Sequence, residues 1–302
     1  MNLEGEQRRV LIVEDDHDMQ ELLATLLRER YRISLAERAE EALELARGER
    51  PDAIVLDVFL PGMDGLECLR ALRKDSRTAD IPAILVTAAP DEDLRVESFE
   101  GGAADYLTKP FLSRELLARV DKAIREAEER RELWRLATTD PLTGLANLRF
   151  LRESLRREIE SVRRYGQKLA LMMLDLDGLK EINDRLGHEA GNRALRLLAD
   201  QIRKCLRGAD LAARFGGDEF AILLPHTDLE EGRGLAERLR KSLERIEGLP
   251  FSLRASIGIA SAPAGPRAEA DALLEAADRA LYEAKRTGRN RVVARSGEEG
   301  RP

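Results

Sequence analysis

The sequence predicts an α/β protein with a doubly wound, five-stranded first domain, a long connecting helix and a second domain of the α+β class. Three observations support this prediction. Short apolar runs alternate with helical patterns over roughly the first 112 residues, as in parallel sheets buried on both faces. A stretch without Gly or Pro follows. After it, two apolar runs adjoin through Gly216-Gly217, which is typical of a hairpin.

Composition and charge limit the classes of function. The 302 residues suffice for two domains, and 43% hydrophobic with 35% charged residues fit a folded chain. The net charge of -7, without a dense basic face, gives no reason to expect nucleic-acid binding. We find no apolar run of membrane-span length and no signal-peptide core, so we expect a cytoplasmic protein without a membrane span. Cys68 and Cys205 lie far apart in sequence and are expected to be reduced thiols.

The first domain is predicted from alternating elements. Strands are expected at Val10–Val13, Ala53–Leu56 and Ala83–Val86, and helices at Met19–Arg30, Ala39–Arg47 and Gly65–Arg73. Ligands of a doubly wound sheet bind beyond the carboxyl ends of the strands. The polar residues at those ends therefore define a candidate site.

Five polar residues stand at these strand ends: Glu14 and Asp15 after the first, Asp57 at the third, Thr87 at the fourth and Lys109 after the fifth. Three clustered acids are unfavourable without a cation, so Mg²⁺ is the expected occupant. With the metal ion and Lys109 screening its charge, Asp57 is expected to attack a phosphoryl donor. Thr87 would then hydrogen-bond the new phosphoryl group.

The connecting helix is predicted over 113–138, between domains expected at 8–125 and 139–296. Its seam has a 3-4 spacing that is interrupted by a charged residue: Leu117, Val120, Ile124, Ala127, Arg131 and Trp134. Two interpretations stay open. The helix is either a solvated connector whose first half faces a core, or a helix that pairs two protomers and transmits state between domains.

The second domain is predicted to form a mixed sheet with helices on one side. Its strands are expected at Leu169–Leu174, Leu211–Phe215, Phe220–Leu224 and Leu253–Ala260. The Gly216-Gly217 turn is expected to need positive φ.

Two acidic groups follow these strands. Asp175, with Asp177 two residues on, ends one apolar run, and Asp218 and Glu219 follow the hairpin. Neighbouring strands would bring them together, as a Mg²⁺-triphosphate site requires, with glycines that let phosphates approach the backbone. Phosphodiester formation then needs a deprotonated 3′-hydroxyl aligned with an α-phosphorus. The alternative is a plain turn followed by a solvated acidic strand start.

The segments VLIVEDD, LDVFLPGMDG, LVTA and DYLTKPF resemble response-regulator receiver domains, in order and over the whole first domain. The resemblance implies a cognate histidine kinase as partner and Asp57 as the phosphoacceptor. It also implies one Mg²⁺ and a set of contact and switch residues: Glu14, Asp15 and the Phe59 carbonyl at the metal, Lys109 and Thr87 at the phosphate, and Tyr106 as the aromatic that changes rotamer. The alternative is a receiver fold with an inactive site, although every expected residue type is present.

The segments DPLTGLAN, DLDGLKEIND, GH, RFGGDEF, SIGIA and AKRTGRN resemble the GGDEF diguanylate cyclase family, over residues 138–295. The resemblance implies a palm-like α+β fold and a dimer that condenses two GTP into cyclic di-GMP, releasing two pyrophosphates. It implies one or two Mg²⁺ at Asp175, Leu176, Asp218 and Glu219, with Glu219 a ligand or a base. The substrate contacts it implies are Lys285 and Arg289 at the triphosphate, Asn183 at guanine, and Lys180 as a further phosphate contact. A basic last helical turn would explain Lys285 and Arg289 equally well.

A further segment, Arg207-Gly-Ala-Asp210, resembles the RxxD site of that family, at which the cyclic di-GMP product inhibits. A guanidinium group can stack on guanine while a carboxylate accepts its donors, and Arg238 on the next helix is a candidate third contact. The alternative is a surface Arg–Asp pair of little energetic value.

The sequence departs from the family pattern at Asn192, where the family usually has Asp, and at Leu179 and Leu148, where Phe and Arg are common. Leu179 is expected still to pack against the base. An amide cannot reproduce a bidentate carboxylate at guanine, but it suits adenine. The loss of one buried hydrogen bond would weaken the preference for GTP by roughly 1–3 kcal/mol. A mixed cyclic GMP-AMP product and a catalytically silent cyclic di-GMP effector therefore remain alternatives.

Overall fold

The structure is a computed structural model that describes residues 7–88, 92–246 and 251–296. The chain divides into two compact units, with the division between Leu133 and Trp134. In the described ranges, none of the helices combines the length and the apolar character needed to cross a lipid bilayer.

The first unit is a doubly wound α/β domain, as predicted. Its elements are β1 (Arg9–Val13), α1 (His17–Leu27), β2 (Arg32–Ala36), α2 (Ala39–Glu49), β3 (Ala53–Asp57), α3 (Gly65–Lys74), β4 (Ala83–Thr87), α4 (Glu92–Glu100), β5 (Asp105–Thr108) and α5 (Ser113–Thr138). Within the described residues its sheet has five parallel strands in the order β2-β1-β3-β4-β5. Because these strands are all parallel, their carboxyl ends lie at one edge of the sheet.

Helix α5 spans Ser113–Thr138 and crosses the division between the units. Val120, Ile124 and Ala127 are buried at 0–1% exposure, whereas Trp134 is 64% exposed. Arg131 forms an ion pair with Asp80 at 3.1 Å. The first half of the predicted seam therefore faces the core of the first unit, and its charged member anchors the helix to a loop of that unit.

The second unit is built on a mixed sheet. Its elements are α6 (Leu148–Tyr165), β6 (Leu169–Leu176), α7 (Leu179–Leu186), α8 (His188–Cys205), β7 (Leu211–Arg214), β8 (Glu219–Pro225), α9 (Leu229–Glu244), β9 (Ala255–Ser261), α10 (Ala270–Arg286) and β10 (Val292–Ser296), with a 3-10 turn at Gly265–Arg267. The strand order among the described residues is β10-β9-β6-β8-β7. β6 pairs antiparallel with both of its neighbours, and β10 pairs parallel with β9.

Two expectations for this unit were wrong, and one of its strands was missed. Helices cover both faces of the sheet, not one. Strand β6 is wholly buried, and its alternate residues pack into two different cores, one formed with α8 and α9 and the other with α6 and α10. The hairpin between β7 and β8 forms, but neither Gly216 nor Gly217 has φ in the left-handed region. Strand β10 was not predicted.

Candidate phosphoacceptor and active sites

The carboxyl edge of the first sheet gathers its predicted residues. Among the described residues, Glu14, Asp15 and Asp57 offer carboxylate oxygens that all lie within 4.8 Å of one another. Lys109 Nζ donates to Glu14 Oε2 and to Asp57 Oδ2, each at 2.8 Å. Thr87 ends β4, the strand next to β3, and is fully buried.

Burial dominates the electrostatics of this edge. Glu14 is 2% exposed and Asp57 is 6% exposed. Burial raises the pKa of Glu14 to about 7, with Asp57 adding to the shift and Lys109 opposing it. Burial also acts to lower the pKa of Lys109, but the two carboxylates that accept from it hold that pKa above its ordinary value. One ammonium group thus faces three carboxylates, which leaves negative charge for a divalent cation.

The two remaining predicted residues of this edge differ in exposure. Phe59 lies two residues after Asp57, the candidate phosphoacceptor. Its main-chain N–H donates to Asp57 Oδ1 at 3.2 Å, and its ring is largely exposed. Tyr106 lies in β5 and is buried.

Strand register builds the second acidic edge. Asp175 in β6 lies opposite Glu219 in β8 and opposite Ser256 in β9. The Asp218 carbonyl accepts from the main-chain N–H of Leu176 at 3.1 Å. The strands therefore bring the predicted acids to one end of the sheet. In the described part of the chain, however, the carboxylates of Asp175, Asp218 and Glu219 do not form a cluster as tight as that of the first unit.

Lys285 balances the charge of Asp175. Its Nζ donates to Asp175 Oδ2 at 2.6 Å, and Asp175 is 6% exposed. Burial raises the pKa of Asp175 to about 6; Lys285 opposes this shift, and the Asp218 charge adds to it. Arg289, beyond the end of α10, has its Nε 4.0 Å from Asp177 Oδ1. The two cations assigned to the triphosphate therefore lie against Asp175 in β6 and against Asp177, which directly follows that strand.

A cavity of about 380 Å³ lies between α7, α8 and the hairpin turn. Its lining includes five residues predicted for substrate or metal: Leu179, Lys180, Asn183, Asn192 and Asp218. A Cβ at Gly191 would lie 1.9 Å from Asn183 Oδ1, so the glycine makes room for the Asn183 side chain. The lining does not include Glu219, Lys285 or Arg289.

The comparisons with known proteins agree with this geometry. The model of the response regulator receiver domain matches residues 10–121, and that of the diguanylate cyclase GGDEF domain matches residues 137–291. Response regulator PleD of Caulobacter vibrioides is 32% identical over 310 aligned residues, which cover 97% of this chain and 67% of PleD. The chain belongs to the GGDEF diguanylate cyclase family.

Two further relatives concern the GGDEF domain alone. Diguanylate cyclase DgcP of Pseudomonas aeruginosa is 48% identical over 160 residues, which are 52% of this chain and 24% of DgcP. The crystal structure of the DgcB GGDEF domain from Caulobacter crescentus, solved with c-di-GMP, matches with a TM-score of 0.51 at 33% identity, covering 54% of this chain and 97% of that chain. The protein is therefore a diguanylate cyclase that carries a receiver domain.

Sequence reasoning missed a residue pair in the GGDEF domain. Arg214 lines the cavity and donates to the Gly217 carbonyl through Nη2 at 2.7 Å, while its Nη1 lies 3.3 Å from Asp140 Oδ2. Burial acts to raise the pKa of Asp140, but hydrogen bonds from Thr143 and the charge of Arg214 hold it below its ordinary value. Asp140 is the first residue of DPLTGLAN and Arg214 the first of RFGGDEF. The two residues are 74 positions apart in the chain, so sequence alone does not pair them. Asp184 and His188, also unpredicted, line the same cavity.

Arg207 and Asp210 line a second cavity of about 410 Å³ in the GGDEF domain. Asp210 Oδ2 accepts from the main-chain N–H of Arg207 at 2.9 Å, so this carboxylate closes the turn between the two residues. Arg238 is exposed on α9 and does not line this cavity.

Proposed function

We propose that this protein condenses two GTP molecules into cyclic di-GMP, with release of two pyrophosphates, and that phosphorylation of its receiver domain controls the reaction. One observation carries the catalytic part. The Lys285–Asp175 ion pair lies opposite Glu219 in the register of the sheet. Asp218, the residue before Glu219, lines a cavity that is large enough for a purine base.

The donor set of the active site supports a divalent cation. Asp175, Asp218 and Glu219 are hard oxygen donors, and Leu176 can add only its main-chain carbonyl. The buried Asp175 has a single ammonium partner and a second carboxylate nearby, so the set retains net negative charge. Mg²⁺ held by these residues, as one or two ions, would neutralise triphosphate charge and polarise the α-phosphate.

The residues around these metal ligands bind the substrate and accept its proton. Lys285 and Arg289 bind the phosphate oxygens, and Lys180 is a further phosphate contact. Asn183 reads the base, while Leu179 packs against it. Either Glu219 or Asp218 accepts the proton of the attacking 3′-hydroxyl. One domain holds one GTP, so two subunits must face each other for cyclisation, and the active form is a homodimer.

Receiver control starts at Asp57. The Glu14, Asp15 and Asp57 cluster, with the Phe59 carbonyl, would hold one Mg²⁺, and Asp57 would take the phosphoryl group from a histidine kinase. Lys109 and Thr87 would contact that group, and Tyr106 would change rotamer. The receiver domain at 8–125 would then favour dimerisation, with the helix at 113–138 bringing together two cyclase domains at 139–296.

Product inhibition is supported by the second cavity. Arg207 and Asp210 line it, and cyclic di-GMP bound there would slow turnover, with Arg238 contributing from the same or a neighbouring protomer. A silent effector that only binds cyclic di-GMP at this site is the alternative.

A second candidate product, cyclic GMP-AMP, is favoured by Asn192. This amide lines the base cavity at a position where the family usually has a carboxylate. An amide offers a donor and an acceptor to adenine. Base choice is therefore a separate question from cyclase chemistry.

Product analysis tests these proposals. Purified protein with equal GTP and ATP plus Mg²⁺ should yield cyclic di-GMP by mass spectrometry, and more of it with beryllofluoride. Asp57→Asn should remove the beryllofluoride stimulation and leave basal synthesis. Glu219→Ala should abolish synthesis.

Several outcomes would count against the proposal. Absence of product under every activation would exclude the cyclase assignment, and binding of cyclic di-GMP without synthesis would favour the effector. A mixed product that disappears in Asn192→Asp would assign base selection to residue 192.

A further inference from the structure

The turn after α10 adopts an unusual backbone conformation. Arg289 and Asn290 are consecutive non-glycine residues with φ of 57° and 45°. Residues with a Cβ rarely adopt this left-handed region, and they stay there only where their surroundings hold them. This turn carries Arg289 and directly follows the last helical turn, which carries Lys285.

Asp177 holds the turn from the sheet side. Its Oδ2 accepts from the main-chain N–H of Asn290 at 3.0 Å, and its Oδ1 accepts from Ser256 Oγ at 2.8 Å. The Asp177 side chain is 9% exposed. Both of its oxygens therefore accept hydrogen bonds within the protein, one from the backbone of the turn and one from the neighbouring strand β9.

Helix α9 holds the same turn from the other side. The Asn290 side-chain amide donates to Glu244 Oε1 at 2.6 Å and accepts from Arg240 Nη1 at 3.3 Å. Arg240 also donates to Glu244 Oε1 at 2.9 Å, and its side chain is 15% exposed. Asn290 is thus fixed through its main chain by one acid and through its side chain by another.

We propose that Asp177 and the Arg240–Glu244 pair are positioning residues that lock this left-handed turn and so aim Lys285 and Arg289 at the triphosphate. The triphosphate assignment rests on the proposed function. Asp177 then differs in role from Asp175, although only Leu176 separates them. Asp175 serves the metal and phosphate, whereas Asp177 shapes the backbone that delivers the cations.

Kinetics of three variants test the proposal. Asp177→Ala should raise KM for GTP by about tenfold or more, because a displacement of roughly 1 Å in a positioned group can be very costly. Glu244→Ala should raise it roughly threefold, the effect of losing one modest hydrogen bond. Glu230→Ala is the matched control, since Glu230 is an exposed acid of α9 paired with Arg233 at 3.8 Å, and it should match the parent.

The metal dependence separates positioning from ligation. In every variant, the Mg²⁺ concentration for half-maximal turnover should equal that of the parent. Asp177→Asn should fall between parent and Asp177→Ala, because an amide oxygen can still accept from Asn290. Arg289→Ala should raise KM less in the Asp177→Ala background than in the parent. A raised Mg²⁺ requirement in Asp177→Asn, or an unchanged KM in Glu244→Ala, would overturn the proposal.

Amide hydrogen exchange gives a readout without nucleotide, metal or turnover. Asp177→Ala and Glu244→Ala should each speed exchange over residues 287–291, and Glu230→Ala should not, with thermal unfolding confirming that all variants are folded. Unchanged exchange in both test variants would refute the locking of the turn. If the parent made no cyclic dinucleotide, the proposed function would fail while this exchange result still decided the role of Asp177 and Glu244.

Discussion

Gly258 lies within β9, directly against α10, and Gly258→Ala would force a collision between strand and helix. A Cβ at this position would lie 2.0 Å from the main-chain nitrogen of Leu281, 2.5 Å from the Ala277 carbonyl oxygen and 2.6 Å from Leu281 Cα. All three atoms belong to the backbone of one helix. No change of rotamer can relieve the contact, so α10 must move.

The size of that movement follows from the distances. Ordinary contact begins at 3.4 Å, so the closest atom must retreat by about 1.4 Å, the difference between 3.4 and 2.0 Å. Overpacking of this kind costs about 1–3 kcal/mol, and more where the backbone is involved, so we expect about 3 kcal/mol or more. The same helix carries Lys285, whose Nζ lies 2.6 Å from Asp175 Oδ2. The retreat would therefore also impair GTP turnover by the molecules that remain folded.

Two other glycines provide graded controls. A Cβ at Gly232 would meet Ile259 Cδ1 at 2.4 Å, the far end of a flexible side chain, so Gly232→Ala should cost roughly 1 kcal/mol. Gly234, two residues on in α9, has nothing within 4 Å of its Cβ position, and Gly234→Ala should stabilise the helix by up to about 1 kcal/mol. Urea unfolding followed by circular dichroism measures all three. The reasoning is refuted if Gly258→Ala unfolds within about 0.5 kcal/mol of the parent.

Three further predictions concern other parts of the chain. Cys68 is fully buried, and burial raises the pKa of its thiol to about 12. Iodoacetamide should therefore modify Cys205 and spare Cys68 in the folded protein. Peptide mapping that finds Cys68 labelled would contradict this. Asp140→Asn should lower the free energy of unfolding by about 1–2 kcal/mol at pH 7. The folded pKa of Asp140 lies below its ordinary value, so the stabilisation by this carboxylate is present above about pH 4 and is lost as the pH falls. The difference in unfolding free energy between Asp140→Asn and the parent should therefore shrink toward about pH 3. A difference that stays constant would be evidence against this prediction. Trp134, the single tryptophan, contacts Phe150 edge-on with 6.0 Å between ring centroids. Phe150→Ala should therefore shift the tryptophan fluorescence emission to longer wavelength. An unshifted spectrum would mean that the contact is absent in solution.

The edge of the first sheet could be predicted because parallel strands leave little choice. All five strands point the same way, so residues after their carboxyl ends must share one edge. Glu14, Asp57 and Lys109 lie there at bonding distance although they are separated by up to 95 residues. Alternation of apolar and helical segments was enough to place them.

The second unit was less predictable because the order of its strands depends on which strands pair, and an alternation of strands and helices along the chain does not specify that. β6 is apolar from Leu169 to Leu174 and buried throughout, a signal for two covered faces, but mixed strand directions suggested helices on one side only. β10 was missed because Val292–Ser296 is short and only partly buried. The Gly-Gly pair predicted the turn correctly, but the positive φ expected of it was wrong, because glycine adopts negative φ about as readily as positive φ. The fixing of Asn290 by Asp177 and Glu244 arises from three distant segments that share no sequence pattern.

The attachment of Asp140 to Arg214 bears on how this enzyme can be re-engineered. Asn147 donates to the Thr138 carbonyl through its main chain at 2.8 Å and to the Ala137 carbonyl through its side chain at 2.9 Å. The final turn of α5 thus accepts two hydrogen bonds from Asn147 of the GGDEF domain. Asp140, two residues after this turn, pairs with Arg214, which donates to the Gly217 carbonyl next to Asp218. A chimera with a foreign sensor should therefore place its fusion junction upstream of Trp134, so that the helical turn contacted by Asn147 keeps its native sequence and register.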